Sequence, residues 1–149
     1  MRPALRRFIE QEFGQVPHRR IEEWCLPGAR ADVAVFSHQH FDTGRRGSPL
    51  RELRFGVTVF EIKSDADSFE RLAAQAAAYC DFADALWLVL TEKQSEKFNA
   101  LLVQDGKIAW NLVHAGKIVV RGEDFEVKSR PRTFNLRSFD PLMWLQLLA

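Results

Sequence analysis

Residues 54–63 read Arg-Phe-Gly-Val-Thr-Val-Phe-Glu-Ile-Lys, and this stretch decides the fold class. Residues 54–62 are apolar on both alternating faces, which is typical of a central strand covered on both sides. Glu61 and Lys63 end this strand; because side chains alternate along a strand, both point to one face while Ile62 points into the core. An unpaired buried charge is costly, so this pair of charges needs a partner or a function.

Two helices and three further strands are predicted around this central strand. Apolar periodicity and β-rich runs predict helices over 3–13 and 68–80 and strands over 19–25, 30–36 and 85–91. Asp67, with Glu70 three residues later, resembles a capping box, and we expect Asp65 and Asp67 to cap the second helix. The order helix, three strands, helix, strand predicts an α/β fold with a mixed sheet.

The stretch 37–53 separates two of the predicted strands and is rich in loop-forming residues. We expect an extended hairpin or a flexible loop here, with His38 and His40 in solvent rather than bound to zinc. Arg45 and Arg46 have two open interpretations, either as contacts to phosphate groups or as solvated charges.

The pattern is weaker beyond residue 91. We expect a short helix over 94–103, strands over 107–110 and 117–120, a polar stretch over 122–135 and a final helix over 141–148. A small C-terminal α+β extension over about 92–149 would then follow a core over about 1–91. No linker-like segment interrupts the chain, so residues 1–149 are predicted to form a single domain.

Composition narrows the class of protein. The chain has 149 residues, 46% of them hydrophobic, and a formal net charge of +1, which argues against a strongly cationic nucleic-acid binder and against a disordered chain. Cys25 and Cys80 are too few for a disulfide framework and lack metal-site spacing, so we expect a cytoplasmic protein. The longest apolar run, Ala85 to Leu90, is far shorter than the ~20 residues of a membrane-spanning helix, so no membrane partner is expected.

Three charged residues suggest metal chemistry. Asp32 lies in one predicted strand, and Glu61 and Lys63 end another. Carboxylates beside a lysine suit a divalent cation such as Mg²⁺, which prefers oxygen ligands and retains several waters. Such a cation activates a bound water and stabilises charge that builds on a phosphate.

The same residues carry a family resemblance. The run Arg30-Ala31-Asp32, followed by Glu61-Ile62-Lys63-Ser64-Asp65, resembles the PD-(D/E)xK, or restriction-endonuclease-like, nucleases, with Ala31 where the motif name has proline. Downstream, Gln75 and Tyr79 match the Gln-xxx-Tyr motif of the RecB-like branch, including a group of small bacterial proteins. The resemblance covers roughly residues 20–91 and implies an αβββαβ core with a central mixed sheet flanked by helices.

The resemblance also implies roles for individual residues. Asp32 and Glu61 would coordinate Mg²⁺ or Mn²⁺, together with the carbonyl group of Ile62. Lys63 would orient or deprotonate the attacking water, or stabilise the transition-state phosphate. Gln75 would reach the metal site or the substrate backbone.

Further residues of the site follow from the same resemblance. Tyr79 would support Gln75 and the bound substrate, while Arg30 would join Arg45 and Arg46 in contacting the substrate. An acidic residue on the first helix completes the metal site in many relatives. Glu12 is the first choice for this position, and Glu10 is its rival on the same helix. Glu22 and Glu23 are further candidates, because close relatives have an acidic residue just before the strand that contains Asp32.

The activity implied is that of a Mg²⁺-dependent deoxyribonuclease, with an endonuclease expected, in DNA repair, defence or a mobile element. DNA would be the partner, and a homodimer or a larger complex would supply specificity. The alternative is a nuclease-fold module, catalytically weak or inactive, that binds nucleic acid or a protein. Ion pairing at a strand end is the simpler structural explanation of the charged residues.

Overall fold

A computed structural model describes residues 1–41, 52–104 and 110–133 of the chain. These residues form an α/β fold around one six-stranded mixed sheet, with strands in the order β1-β2-β3-β4-β5-β6. The strands and helices follow one another along the chain as α1 (Arg2–Phe13), β1 (His18–Leu26), β2 (Ala29–Phe41), β3 (Glu52–Lys63), α2 (Leu72–Phe82), β4 (Ala85–Thr91), α3 (Glu92–Gln104), α4 (Trp110–Val113), β5 (Gly116–Arg121) and β6 (Asp124–Ser129).

Strand direction divides the sheet into three parts. Strands β1, β2 and β3 form an antiparallel meander, and β5 pairs with β6 in the same antiparallel way. In the centre, β4 pairs in parallel with both β3 and β5. Parallel neighbours need a crossover connection, and here the crossovers contain α2, α3 and α4.

Each face of the sheet supports its own apolar cluster. Helix α1 packs its buried residues against one face, which includes Val33, Phe60 and Trp87. Leu72, Ala76 and Tyr79 of α2 pack with Phe98 of α3 and Leu112 of α4 against the other face. This face includes Val57 and Val59. Since side chains alternate along β3, Glu61 and Lys63 share this α2 face.

The structure confirms the order of elements through β4 and corrects three boundaries. Helix α2 begins at Leu72 rather than at residue 68, and its N-cap residue Arg71 makes no capping hydrogen bond through its side chain. Strand β2 ends at Phe41 and strand β3 begins at Glu52. The loop predicted over 37–53 is therefore strand at both of its ends. His38 and His40 lie in β2; residues 42–51, including Asp42, lie outside the described residues.

In the C-terminal part of the chain, α3 and β5 confirm the helix predicted over 94–103 and the strand predicted over 117–120, and the other predictions have different outcomes. Trp110 begins helix α4, which contradicts the strand predicted over 107–110, while residues 107–109 lie outside the described residues. Asp124–Ser129 forms β6 where only a polar stretch was expected. The final helix predicted over 141–148 lies outside the described residues. Since β5 and β6 extend the same sheet, the predicted extension continues the core.

Within residues 1–41, 52–104 and 110–133, none of the helices combines the length and the apolar content needed to cross a membrane.

Candidate functional site

A buried carboxylate, Glu61, is the centre of the site. Glu61 is only 3% exposed, and both of its carboxylate oxygens accept hydrogen bonds from side chains of α2. The Tyr79 hydroxyl donates to Oε2 at 2.6 Å, and the Gln75 amide donates to Oε1 at 3.0 Å. Gln75 and Tyr79 are four residues apart, so they lie one turn apart on the same side of the helix. The Gln-xxx-Tyr spacing thus brings both side chains to a single carboxylate.

Lys63 completes this network. Its ammonium Nζ lies 3.1 Å from Oε1 of Glu61 and also donates to Oε1 of Gln75 at 3.4 Å. The Lys63 residue is 8% exposed, so its positive charge is largely removed from solvent. The ion pair of Lys63 with Glu61 offsets part of the cost of burying both charges.

Asp32 approaches the same place from β2. Its Oδ2 accepts a hydrogen bond of 2.8 Å from the backbone N–H of Ile62, between Glu61 and Lys63. Its Oδ1 accepts no hydrogen bond from the residues that the structure describes. The structure therefore brings Asp32, Glu61, Ile62, Lys63 and Gln75 together, as the sequence predicted.

The electrostatics of the site suit a bound cation. Burial raises the pKa of Glu61 above its ordinary 4.5, and the negative charge of Asp32 adds to the rise, while Tyr79 and Lys63 oppose it. Burial and the facing Glu61 carboxylate also raise the pKa of Tyr79, so its hydroxyl stays protonated and remains a donor. A carboxylate whose charge is disfavoured by burial gains most from a nearby cation.

The donor atoms fit Mg²⁺ or Mn²⁺ by their chemistry. Two carboxylates and the carbonyl of Ile62 are hard oxygen ligands, which these cations prefer. In the part of the chain that the structure describes, no group of three or more His, Cys, Asp or Glu residues converges on one point. Waters and substrate phosphate would therefore supply the remaining ligands, as is usual for Mg²⁺.

The structure adds to the role expected of Tyr79. Its side chain is fully buried, and its hydroxyl lies 3.0 Å from the carbonyl oxygen of Arg30 as well as beside Glu61. Because the side chain is buried, the structure does not bring it to a surface that a substrate could reach, and substrate contact by Tyr79 stays a prediction. Tyr79 ties α2 to the start of β2 and the end of β3. The Arg30 side chain is exposed near this point and stays available to a ligand.

Glu12 does not join the site. Its carboxylate pairs with Arg130, and α1 packs on the sheet face opposite to α2. The C-terminal end of α1 also lies near His18, because the Phe13 and His18 rings are 6.2 Å apart. His18 of β1 pairs with Ser37 of β2, and Ser37 pairs with Gly56 of β3. The C-terminal end of α1 is therefore level with Gly56. At ~3.3 Å per residue, Gly56 is about 16 Å before Glu61 along the strand.

The other acidic candidates also have separate positions. Glu10 is exposed on α1, and Glu22 pairs with arginines. Glu23 lies between two paired positions, Glu22↔Val33 and Trp24↔Ala31, so it is level with Asp32, and its φ is +52°. Its side chain is exposed, and the structure does not bring it to the Glu61 carboxylate.

Arg45 and Arg46 lie outside the described residues. The strands that lead to them pair as far as Phe41↔Glu52. At ~3.3 Å per residue, Glu52 is about 30 Å from Glu61 along β3, toward the opposite end of the sheet. Their predicted contact with substrate therefore stays a prediction.

Sequence reasoning missed a second polar network that follows Lys63 directly. The Gln94 side chain is fully buried, and its amide Nε2 donates to the carbonyls of Ser64 and Asp67, the latter at 2.8 Å. Oδ2 of Asp67 in turn accepts from the backbone and the hydroxyl of Ser64, both at 2.7 Å. Asp67 thus closes its own turn and does not cap α2.

This network fixes the chain that leaves the site. Thr91 at the end of β4 donates to Asp65 and accepts from the backbone of Gln94. Asp65 therefore does not cap α2 either. Gln94 bonds to residues 27 and 30 positions earlier in sequence, so no local pattern signals its role.

Comparison with known proteins supports the fold alone. No protein-family model matches the sequence, and no curated protein matches it. A solved structure, the SPO1766 protein of unknown function from Silicibacter pomeroyi, is similar over 99% of this chain and 77% of its own, with a TM-score of 0.57 and 15% identity. At that identity the likeness concerns the arrangement of helices and strands.

Proposed function

We propose that this chain is a Mg²⁺- or Mn²⁺-dependent nuclease of the restriction-endonuclease-like class that hydrolyses DNA phosphodiester bonds. The observation that carries the proposal is the single cluster formed by Asp32, Glu61, Lys63 and Gln75. Four residues from three elements, in the pattern of the resembled motif, converge around a buried carboxylate. A strand-end ion pair alone would not require Asp32 or Gln75.

Each residue has a role in hydrolysis. Asp32, Glu61 and the Ile62 carbonyl would hold the cation, which when bound supplies charge stabilisation and a more acidic water. Lys63, held by Glu61 and Gln75, would orient the attacking water or donate to the phosphate oxygen that gains charge. Gln75 and Tyr79 keep the Glu61 carboxylate in one orientation.

The proposal is tested by cleavage of labelled DNA in Mg²⁺ and in Mn²⁺. Glu61→Gln, which keeps the shape of the side chain, and Lys63→Met, which keeps much of its length, should each reduce the rate by at least ~10²-fold. Lys97→Met, on the exposed surface of α3, is the matched control and should cleave like the parent. Cleavage that survives both site substitutions, or that persists in EDTA, would contradict the proposal.

One observation favours a second candidate function. Both oxygens of Glu61 already accept hydrogen bonds from the protein, which a metal would have to share. A module of this class that binds nucleic acid or protein without cutting would have the same network. Calorimetric titration with Mn²⁺ separates the two: saturable heat that Asp32→Asn abolishes supports the nuclease, and no heat at millimolar Mn²⁺ supports the binding module.

A further inference from the structure

Three arginines surround one carboxylate at the edge of the sheet. Glu22 of β1 lies 3.3 Å from Arg2, 3.6 Å from Arg6 and 3.9 Å from Arg20, measured between side-chain nitrogen and oxygen atoms. Two of the arginines come from α1 and the third from β1 itself. We call these four residues the arginine patch.

The patch carries an excess of positive charge that it presents to solvent. Three guanidinium groups face one carboxylate, and the Arg6 side chain is 56% exposed. Surface ion pairs contribute little to stability, so fold stability gives a weak reason to place three arginines on one acid. Arginine is the side chain best suited to phosphate, because its planar fork donates two parallel hydrogen bonds.

The shape of the patch suits a single anionic group. Its side chains line a shallow, open cleft, and the buried residues Leu5, Ile9 and Val33 lie beneath them. One phosphate group of a longer polymer needs only the mouth of the cleft.

The patch also lies near the candidate site. Glu22 pairs with Val33, the residue after Asp32, and Val33 pairs with Phe60, the residue before Glu61. At ~4.8 Å between strands, β1 lies about 10 Å from β3, which is about three base pairs of duplex rise. The patch faces the α1 side and the site faces the α2 side, so a bound polymer would pass along the end of the sheet.

We propose that Arg2, Arg6 and Arg20 form a phosphate-binding surface for the nucleic-acid backbone, in which the Glu22 carboxylate holds the arginines in place until a phosphate arrives. This inference rests on the proposed function for its choice of DNA as the polymer. The carboxylate competes with phosphate for the same donors, so it also sets the strength of binding.

The test uses fluorescence anisotropy of a labelled DNA duplex with the full chain in EDTA, where no cleavage occurs. Removing one phosphate contact lowers the salt slope of binding by about 0.9, which is about a 3.5-fold change in relative affinity between about 50 and 200 mM salt. Arg6→Gln should show this loss, Arg6→Lys should keep the slope, and Glu22→Gln should bind more tightly than the parent.

Arg7→Gln is the matched control. Arg7 adjoins Arg6 on α1 but pairs with Asp124 near β6, so its loss should leave the slope nearly unchanged. Equal effects of Arg6→Gln and Arg7→Gln, or no gain from Glu22→Gln, would overturn the proposal. Polyglutamate that competes as well as unlabelled duplex would point to an acidic protein instead. The binding assay contains no metal ion and does not depend on cleavage. A protein that fails to cleave DNA in the earlier assay can therefore still confirm or overturn the role of the arginine patch.

Discussion

At the scale of single residues, Tyr79 joins two strands of the site through one hydroxyl group. Its hydroxyl lies within hydrogen-bond distance of Glu61 and of the Arg30 carbonyl, although it has a single proton to donate. The residue therefore links the two strands that carry the candidate metal ligands, and it does so from a position without solvent access. Sequence spacing predicted its place on α2, but burial decided its role.

Tyr79→Phe tests this position because it removes only the hydroxyl. Loss of a donor to a buried carboxylate should cost about 1–3 kcal/mol of unfolding free energy, measured by urea denaturation. Cleavage should fall more than ~10-fold, with little change in DNA affinity, because the Glu61 carboxylate loses its orientation. Phe69→Leu is the control, because Phe69 is half-buried and packs against the same core. It should lower stability without the loss of cleavage expected for Tyr79→Phe. Unchanged cleavage in Tyr79→Phe would show that the hydroxyl does not position Glu61.

At the scale of elements, burial and local hydrogen bonding explain which helix and strand bounds the sequence pattern predicted correctly. Strand β4 matched its predicted bounds, since a doubly apolar run has few alternative conformations in a fold. Helix α2 began later than predicted because Ser64 and Asp67 bond to each other and close a separate turn. Strand β6 was missed because it is an edge strand whose outward residues, including Glu126 and Lys128, are charged.

The Asp67 turn gives a prediction that depends on pH. The Ser64 hydroxyl and backbone N–H hold the pKa of Asp67 below its ordinary 3.8. A lowered pKa means that the stabilisation is present above pH 3.8 and disappears as pH falls through the folded-state pKa. Asp67→Ala should therefore destabilise the protein by no more than about 1 kcal/mol near neutral pH, because solvent screens this exposed carboxylate, and by less at an acidic pH where the folded-state carboxylate is protonated.

Urea denaturation at the two pH values measures this difference. Glu70→Ala, which removes an exposed acidic residue of the same segment that takes no part in the Ser64 hydrogen bonds, is the control and should cost less stability than Asp67→Ala near neutral pH. A constant deficit for Asp67→Ala at both pH values would mean that the carboxylate charge does not stabilise the turn.

At the scale of the whole molecule, the site is assembled from distant parts of the chain. Asp32, Glu61 and Gln75 belong to three different elements, and Gln94 supports the following turn from a fourth. The first three were predicted because a family motif resembles their pattern. Gln94 and the arginine patch were not predicted, because only the sheet register and the position of α1 bring their partners together.

Metal binding should appear as stability of the whole chain. A ligand that binds only the folded state raises the unfolding free energy by about 1.4 kcal/mol at ten times its Kd. Mn²⁺ should therefore raise the thermal midpoint of the parent, and Asp32→Asn should lose the shift. Glu96→Gln, on the exposed surface of α3, should retain it. A shift that is equal in all three proteins would indicate binding elsewhere.

The crossover through α2 has a consequence for how activity is acquired during folding. The β1–β3 meander needs only contacts between neighbouring segments, whereas Gln75 and Tyr79 reach Glu61 only after α2 has packed on the sheet. A chain with the meander alone would hold Asp32 and Glu61 without the groups that orient them. Under the proposed function, a partly folded or newly synthesised chain would therefore not cleave DNA until α2 has packed on the sheet.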